Sequence, residues 1–517
     1  MNQPTFFFYD YESFGVNPAT DRPAQFAGIR TDSQFNIIGE PIMFYCQQTA
    51  DYLPHPEAVL VTGITPQLCN QQGLPEPEFS AKIEAEFSQP NTCIVGYNNI
   101  RYDDEMTRYT FFRNFFDPYE YSYKNGNSRW DLLDVVRACY ALRPEGIEWA
   151  FDDEGMPSFK LENLTKANGI AHQNAHDAMA DVYATIEMAK LIAEKQPKLF
   201  QFFFAHRGKK AVEAMIDTAE MTPLVHVSGM LGNYRGNTTW VVPLAFHPTN
   251  SNAVIVCDLM GDIDSLLSET SETLRERLYT KKSVLAEQHT ASVPLKLVHI
   301  NKCPILAPAK TLLPENAARL GIDRELCLQN LKKLKAQKNR VRETVSDIFD
   351  EVRYFEASEN VETTLYQDFF SPADKNNMVI LRTLPPQELA NHGLKFADPR
   401  VEKLLFHYRA RHYPDTLTRA EQVRWQKYCY QQLAQKAQEI APILENLFAL
   451  HHDQPEIVKL LQELTAYIAQ LFQRQTLTFQ TDTHQSQLLL AVNEVACKDY
   501  DKSEKFKALN ALFAVKN

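Results

Sequence analysis

The chain has 517 residues, a formal net charge of −12 and 44% hydrophobic residues, and no window approaches the ~18 apolar residues that a membrane span needs. This length is too great for one hydrophobic core and predicts roughly three domains. The acidic balance argues against nucleic acid as a partner, unless carboxylates gather around metal ions or basic residues collect in a groove.

Cysteine usage and the N-terminus indicate the compartment. The nine cysteines are scattered singly, without a CxxC pair, which argues against a disulfide framework or a zinc site. The N-terminus lacks the basic stretch and the long apolar run of a signal peptide. We therefore expect a reduced, cytoplasmic protein with no membrane segment.

The chain contains three consecutive regions that differ in their predicted secondary structure. Residues 1–196 alternate short apolar runs with helical patterns, which predicts an α/β sheet domain. Residues 197–352 carry short β-rich runs separated by Gly, Asn and Pro, which predicts a small β-barrel or sandwich followed by a helical stretch. Residues 353–517 are mostly helical by apolar spacing. The clearest predicted elements are Phe6–Asp10, Ala27–Arg30, Cys93–Tyr97, Asp177–Glu194, Thr238–Leu244, Ala253–Leu259, Arg324–Val352, Arg419–Ala449 and Glu456–Gln473.

A buried strand near the N-terminus ends in two carboxylates, Asp10 and Glu12. Residues i and i+2 of a strand point to the same face, and open α/β sheets bind ligands at their strand ends. The two carboxylates can therefore address one metal ion. Taken alone, such a pair is more often an exposed strand end.

Two later segments carry the other candidate side chains. Asp103 closes a segment that follows the apolar run Cys93–Val95, where Asp103 or Asp104 could equally serve as a helix N-cap. His176 and Asp181 lie at the start of a predicted Ala-rich helix. The histidine can therefore lie above a site toward which the aspartate side chain projects. A chain with 14 histidines contains about one such spacing by chance, so this pattern alone is weak.

Taken in order, the three segments resemble the motifs of the DEDDh exonuclease superfamily, and Val61–Thr65 resembles the segment between the first two motifs. The resemblance implies hydrolysis of a phosphodiester at two Mg²⁺ ions, with Mn²⁺ as an alternative, and such ions prefer oxygen ligands. The implied metal ligands are Asp10, Glu12, Asp103 and Asp181. His176 is the implied general base, since an imidazole titrates near working pH.

Longer stretches in all three regions resemble the exodeoxyribonuclease I family of gamma-proteobacteria, among them FFFYDYESFG, GYNNIRYDDEMTR, LTKANGIAHQNAHDAMADVYAT, PLVHVSGM and EKLLFHYRARHYP. The resemblance implies an α/β RNase H-like exonuclease domain (1–196), an SH3-like β-barrel domain (197–352) and an α-helical C-terminal domain (353–517). It also implies 3′→5′ degradation of single-stranded DNA to 5′-mononucleotides, processively and in DNA repair and recombination. The tail from about residue 473 departs from the family pattern.

Sequence-independent binding of a single strand needs cations for phosphates and aromatic rings for bases. The matched motifs imply DNA contacts at Glu12, Arg108, Tyr119, Tyr123, Arg137, Lys160, Lys209, Asn252, Lys296 and Asn301. Lys160 stands in SFKLENLT where the family has arginine, which keeps the charge and loses the bidentate fork. Pro308 stands where a polar residue is usual, and each aromatic ring could equally be a core residue.

The family also implies a monomer that binds the acidic C-terminal tail of single-stranded DNA-binding protein, and Arg143 is the candidate contact. Two alternative functions remain open. The chain could be a DEDDh exonuclease that acts on RNA ends, which the catalytic motifs alone would permit. It could also be an inactive exonuclease fold retained as a DNA-binding module.

Overall fold

The computed structural model describes residues 4–172, 177–350 and 358–476 of the chain. Its first sheet contains β1 (Thr5–Ser13), β2 (Pro23–Thr31), β3 (Ile42–Tyr45), β4 (Thr92–Gly96) and β5 (Ser128–Asp131). The strand order is β3-β2-β1-β4-β5. Strands β1, β4 and β5 run parallel, whereas β2 pairs antiparallel with both β1 and β3.

Helices and one short hairpin accompany this sheet. The helices are α1 (Pro56–Thr62), α2 (Pro66–Gln72), α3 (Glu76–Phe87), α4 (Asp103–Arg113), α5 (Leu132–Leu142), α6 (Leu161–Ala167) and α7 (Ala178–Lys195). The hairpin pairs β6 (Ala150–Phe151) with β7 (Pro157–Ser158). Helix α7 packs directly on β1 and β2.

Strand β1 is apolar on both faces because it lies in the middle of the sheet. Phe6 and Phe8 belong to the core that α5 and α7 cover, whereas Phe7 and Tyr9 belong to the core on the opposite face. Side chains alternate along a strand, so Asp10 and Glu12 continue the face of Phe6 and Phe8. The period of the strand thus directs both carboxylates toward α7.

The second part of the chain carries a five-stranded antiparallel sheet. Its strands are β8 (Leu224–Val227), β9 (Thr238–Phe246), β10 (Ala253–Asp258), β11 (Leu295–His299) and β12 (Ile305–Pro308). Their order is β11-β10-β9-β8-β12. The associated helices are α8 (Pro197–Ala205), α9 (Lys209–Glu213), α10 (Ile263–Ser268), α11 (Ser271–Tyr279), α12 (Lys282–Glu287), α13 (Pro314–Arg319), α14 (Arg324–Ala336) and α15 (Lys338–Phe349).

One sequence prediction in this part differs from the structure. The continuous helical pattern over Arg324–Val352 forms two helices, α14 and α15, because Gln337 between them leaves the helical region at φ −120° and ψ 28°. Residues 351 and 352 of that prediction lie outside the described ranges. The sheet shares its apolar core with the first part, since Val225 and Trp240 belong to the same buried cluster as Val136 of α5.

The third part is helical, with α16 (Pro372–Leu381), α17 (Arg400–His412), α18 (Arg419–Leu450) and α19 (Pro455–Thr476). A capping box formed by Thr418 and Glu421 begins α18, which satisfies backbone donors that the first helical turn leaves unpaired. Helices α18 and α19 pack on each other and against α1. In the described ranges, no helix is long and apolar enough to cross a bilayer.

Four buried charged side chains join the third part to the first, and we call them the interdomain ion cluster: Arg22, Asp51, Glu362 and Arg411. Arg22 Nη2 lies 2.8 Å from Glu362 Oε2. Arg411 lies 2.6 Å from Asp51 and 2.5 Å from Glu362. Each of the four side chains is at most 8% exposed. Buried charges need such partners, and here each region supplies the ion-pair partners of the other.

Candidate active site

Three carboxylates converge at the end of β1. Asp10 and Glu12 project from the strand, Asp181 projects from the first turn of α7, and oxygens of all three lie within 4.8 Å of one another. The structure therefore brings together residues that are about 170 positions apart in the sequence. Such a group of oxygen donors suits a hard divalent cation.

Two side-chain contacts fix the start of α7 over the sheet. Asp177 is the N-cap, and its carboxylate accepts a hydrogen bond from the Ala180 backbone at 3.1 Å. Gln25, which pairs with Glu12 across β1 and β2, accepts a hydrogen bond from the Ala178 backbone at 3.1 Å. These contacts satisfy exposed helix donors and hold the first turn, with Asp181, beside β1.

Asp103 is the first residue of α4 and is buried. Its carboxylate accepts a hydrogen bond from the Tyr11 backbone at 3.2 Å, which attaches α4 to the strand between Asp10 and Glu12. Its charge acts on both of those carboxylates. Asp103 thus borders the three-carboxylate group without belonging to it. Tyr102, rather than Asp103 or Asp104, occupies the N-cap position.

A tight loop between β4 and α4 returns Asp103 to the sheet edge. A Cβ atom at Gly96 would lie 2.6 Å from the Asn99 side chain, so only glycine fits there. Asn98 has a φ of 67°, a conformation that asparagine tolerates better than most residues. The Asp131 carboxylate accepts hydrogen bonds from the backbones of Asn98 at 2.9 Å and Ile100 at 3.3 Å, which holds the loop in place.

The carboxylates strongly perturb one another's ionisation. Desolvation and the charges of Asp103, Glu12 and Asp181 raise the pKa of Asp10 well above its ordinary value. Desolvation and the charges of Asp181 and Asp103 raise the pKa of Glu12 to about 9. Crowded carboxylates resist ionising together, and a bound cation removes this repulsion. The donor set therefore fits a divalent metal ion.

A histidine that the sequence reasoning did not select contacts the group. His172 Nε2 lies 2.6 Å from Asp181 Oδ1. The predicted base, His176, lies outside the described residues. The sequence gives little reason to single out His172, because the DEDDh spacing selects the other histidine of AHQNAH.

Two of the predicted DNA contacts, Arg108 and Tyr119, pack against each other. The Arg108 guanidinium stands 5.3 Å from the centre of the Tyr119 ring, and its Nη1 donates a hydrogen bond to the Tyr366 hydroxyl at 3.1 Å. Tyr123 is 61% exposed, so its ring is available for stacking. Lys160, the N-cap of α6, has a side chain that is 75% exposed and 3.8 Å from Glu162.

Two aromatic residues of the third part extend this surface, and the sequence reasoning did not select them. Tyr366 and Phe369 are 53% and 73% exposed. Their ring centres lie 6.4 Å and 5.5 Å from that of Tyr119. The only sequence feature that points to these two residues is the aromatic-rich stretch LYQDFF, which is equally typical of a buried core segment.

The remaining predicted contacts lie in or beside the second part. The Arg137 guanidinium pairs with Asp134 at 2.7 Å and packs against Gly229, where an added Cβ would approach it to 3.1 Å. Lys209 donates a hydrogen bond to the Asn252 side chain at 2.7 Å, so these two predicted contacts neighbour each other. Asn301 is partly exposed and follows β11.

Lys296 lies in a cavity between the first and second parts. The cavity is lined by Arg101, Asp131, Asp134, His226, Ser228 and Lys296, among others. Among the described residues, the Lys296 ammonium has no hydrogen-bond partner. Burial and the charge of Arg101 lower the pKa of Lys296 to about 8. An anionic ligand would supply the missing partner.

Arg143 and Pro308 make contacts outside the carboxylate group. Arg143 follows α5 and donates a hydrogen bond to the Thr311 carbonyl at 3.0 Å. It lines a shallow cavity together with Lys198 and Phe202. Pro308 ends β12 opposite Leu224, where it offers no polar side chain. The functional roles of all these predicted residues stay predictions.

Comparison with known proteins agrees with this architecture. Three family models match: "Exonuclease" over residues 7–189, "Exonuclease I SH3-like domain" over 207–351 and "Exonuclease I C-terminal domain" over 359–471. Exodeoxyribonuclease I of Haemophilus influenzae is 71% identical over 463 residues, which cover 90% of this chain and 98% of the relative.

Solved structures agree as well. Escherichia coli exonuclease I in complex with a dA16 oligonucleotide superposes with a TM-score of 0.89 at 57% identity, covering 91% of this chain and 100% of that chain. An SSB/exonuclease I structure with the inhibitor CFAM superposes with a TM-score of 0.84 at 55% identity, covering 91% and 100%.

The fold and the carboxylate group define an exonuclease with an SH3-like and a helical domain attached, as the sequence predicted. More specifically, the chain belongs to the exodeoxyribonuclease I family. The domain boundaries drawn from the sequence at 196 and 352 remain predictions.

Proposed function

We propose that the protein removes 5′-mononucleotides from the 3′ end of single-stranded DNA, processively, and serves DNA repair and recombination. The observation that carries this proposal is the convergence of Asp10, Glu12 and Asp181 within 4.8 Å of one another, on the exonuclease domain of a chain of this family. The relative that was crystallised with a dA16 oligonucleotide supports DNA as the substrate.

The carboxylates are the proposed metal ligands. Asp10, Glu12 and Asp181 would hold two Mg²⁺ ions directly, with Mn²⁺ as an alternative, and Asp103 would contribute directly or through water. Such ions supply an activated water nucleophile and stabilise the leaving 3′-oxygen. His176 would accept a proton from the attacking water, the role of a general base for which histidine is the commonest side chain.

The strand path is the second element of the proposal. Arg108, Arg137 and Lys160 would contact phosphates, and Tyr119 and Tyr123 would stack on bases. Glu12 and Lys160 would touch the terminal nucleotide. Further contacts in the second domain would be made by Lys209, Asn252, Lys296 and Asn301. The buried ammonium of Lys296, which has no hydrogen-bond partner among the residues that the structure describes, supports an anionic occupant of its cavity.

A direct test compares single-stranded DNA, duplex DNA and RNA, each labelled at either end, with Mg²⁺ and with EDTA. We expect release of mononucleotides from the 3′ end of single-stranded DNA, in Mg²⁺ only. Asp181→Asn should lower kcat by ~10³-fold or more, which corresponds to about 4 kcal/mol of lost transition-state stabilisation. Activity in EDTA, or full activity of Asp181→Asn, would contradict the proposal. Faster degradation of RNA would favour the alternative substrate, and tight DNA binding without nucleotide release would favour an inactive module.

The proposed protein partner is the acidic C-terminal tail of single-stranded DNA-binding protein. Arg143 and Lys198 line one shallow cavity beside Phe202, which suits an acidic peptide with an apolar residue. An SSB/exonuclease I structure exists for a relative. We expect a monomer that binds the tail peptide and a variant, Arg143→Ala, that binds it at least several-fold more weakly. Equal peptide affinity of the variant in fluorescence anisotropy would exclude Arg143.

A further inference from the structure

We propose that His172 is a positioning residue that orients the Asp181 carboxylate toward the divalent metal. This inference rests on the proposed function, in which Asp181 is a metal ligand, and it concerns a different histidine from the proposed base. It is carried by a chain of contacts from α7 through His172 to the interior of α6.

The first contact joins the histidine to the carboxylate. His172 Nε2 lies 2.6 Å from Asp181 Oδ1, and the histidine side chain is only 4% exposed whereas that of Asp181 is 20% exposed. The final torsion of an aspartate is broad and poorly defined by itself. A short hydrogen bond from a buried neighbour therefore restricts how the carboxylate presents its oxygens to Asp10 and Glu12.

The second contact anchors the other ring nitrogen. His172 Nδ1 lies 3.1 Å from Thr165 Oγ1, and Thr165 is fully buried on α6. The Thr165 hydroxyl lies 2.9 Å from the Leu161 carbonyl and 3.0 Å from the Glu162 carbonyl. A neutral imidazole has one N–H and one acceptor nitrogen, so a ring that donates from Nε2 to Asp181 accepts at Nδ1 from the Thr165 hydroxyl. The ring is thereby held at both nitrogens.

This arrangement gives His172 a role that differs from that of a general base. A base must reach the water that attacks the substrate, whereas both nitrogens of His172 already contact protein atoms and the ring is almost wholly enclosed. Residues that hydrogen-bond to metal ligands typically change metal affinity by 10- to 100-fold when they are removed. A change of that size is therefore expected here.

The experiment measures Mn²⁺ binding to the full-length, metal-free protein by electron paramagnetic resonance, without DNA. We expect His172→Ala to weaken Mn²⁺ binding by ~10- to 100-fold. His172→Gln should restore part of the affinity, because its amide can donate to Asp181. Thr165→Val, which keeps the volume and removes the anchor, should weaken binding in the same direction and less. Asp181→Asn serves as the reference, and melting curves verify that each variant is folded.

Activity provides a second readout. With folded His172→Ala or His172→Gln, the Mg²⁺ concentration for half-maximal activity should rise, and saturating Mg²⁺ should return most of kcat. Normal Mn²⁺ affinity in these variants, with affinity lost in Asp181→Asn, would overturn the positioning role alone. Normal affinity with a kcat that Mg²⁺ does not restore would also overturn it. Normal affinity in Asp181→Asn as well would overturn the assignment of Asp181 as a ligand, and this inference with it.

Discussion

Arg129 donates a hydrogen bond from Nη2 to the backbone carbonyl oxygen of Asn301 at 2.8 Å. Its Nη1 pairs with Asp104, which is fully buried and follows Asp103 on α4. The loop after β11 is also held by the Cys303 thiol, which donates to the Arg129 carbonyl at 3.2 Å. One guanidinium thus connects a proposed DNA contact of the barrel domain to the helix that carries a proposed metal ligand.

Arg129→Met should destabilise the protein because it removes the counter-charge of the buried Asp104 carboxylate, which keeps only neutral donors such as the Tyr9 hydroxyl at 2.9 Å. Breaking a buried ion pair from one side typically costs about 3–5 kcal/mol, so the melting midpoint should fall by several degrees. Adding Asp104→Asn to the same chain should recover part of the loss. Lys124→Met is the matched control, since Lys124 pairs with Glu120 on the surface and such pairs contribute ~1 kcal/mol or less. Equal effects of the buried and exposed variants would contradict this account.

Lys160→Arg should strengthen binding of the terminal nucleotide. Arginine reaches a phosphate with two parallel hydrogen bonds, whereas lysine acts as a point charge, and the Lys160 side chain is free to be replaced at 75% exposure. We expect KM for single-stranded DNA to fall roughly threefold with kcat little changed, as for an interaction present in both ground and transition states. Lys160→Ala should raise KM roughly tenfold. If neither variant changed KM in steady-state kinetics, the proposed contact between Lys160 and the terminal nucleotide would be contradicted.

Tyr123→Ala should weaken DNA binding without destabilising the fold. The ring is 61% exposed, so its loss costs little packing, whereas stacking on one base contributes about 1–3 kcal/mol. We expect Kd for single-stranded DNA, measured in EDTA, to rise roughly 5- to 100-fold at an unchanged melting midpoint. Tyr123→Phe is the control and should bind normally, because stacking needs only the ring. An unchanged Kd in Tyr123→Ala would remove this residue from the strand path.

The metal-free protein should lose stability as the pH rises. The pKa of folded Glu12 is raised to about 9, above the value of about 4.3 for an unfolded glutamate. Because the folded pKa is the higher one, the stabilisation is complete below about pH 4.3 and is lost as the pH rises through about 9. Added Mg²⁺ should therefore raise the melting midpoint more at pH 8 than at pH 6. Glu12→Gln should flatten the metal-free profile, and a wild-type profile that is already flat would contradict the assignment.

The interdomain ion cluster should respond to pH in the opposite direction. Arg411 and Arg22 hold the pKa of Asp51 at about 2 and that of Glu362 well below its usual value. With folded pKa values depressed, this stabilisation is present above the unfolded values of about 4 and is lost as the pH falls toward about 2. Glu362→Gln should cost about 3–5 kcal/mol at pH 7. Glu439→Gln is the control, since Glu439 pairs with Lys436 on the exposed surface of α18. A Glu362→Gln melting midpoint close to that of the control would contradict the role of the cluster.

Much of the fold and the carboxylate group could be predicted because they depend on local period and motif order. The alternation of β1 predicts which face Asp10 and Glu12 share, and the first turn of α7 follows from its Ala-rich pattern. Strand β12 escaped prediction because it is four residues long and ends in Pro308, which removes a backbone donor. His172 could not be predicted, because its proposed role depends on Thr165 and Asp181 lying close together in the folded protein. The periodicity of the sequence does not indicate that proximity.

Contacts between residues that are far apart in the sequence could not be predicted from sequence patterns. Tyr366 joins Tyr119 and Arg108 only after the third part of the chain has packed on α4. The prediction of DNA over RNA likewise depends on the match of the second and third regions to exonuclease I domains, because the carboxylates alone suit both substrates. Long-range pairs such as Arg22 and Glu362, 340 residues apart, are visible only in three dimensions.

The interdomain ion cluster has a consequence for chimeras. Arg22 and Asp51 are covered by a C-terminal region that supplies Glu362 and Arg411 as their counter-charges. In a nuclease region transplanted onto another DNA-binding protein, Arg22 would lose Glu362 and Asp51 would lose Arg411. The two ions would keep only their longer mutual contact of 3.9 Å, on an apolar surface beside Tyr52 and Leu53. Exchange of the C-terminal domain between relatives must therefore keep all four charged residues together. Recombination within the gene is thus constrained at positions that lie far from the catalytic carboxylates.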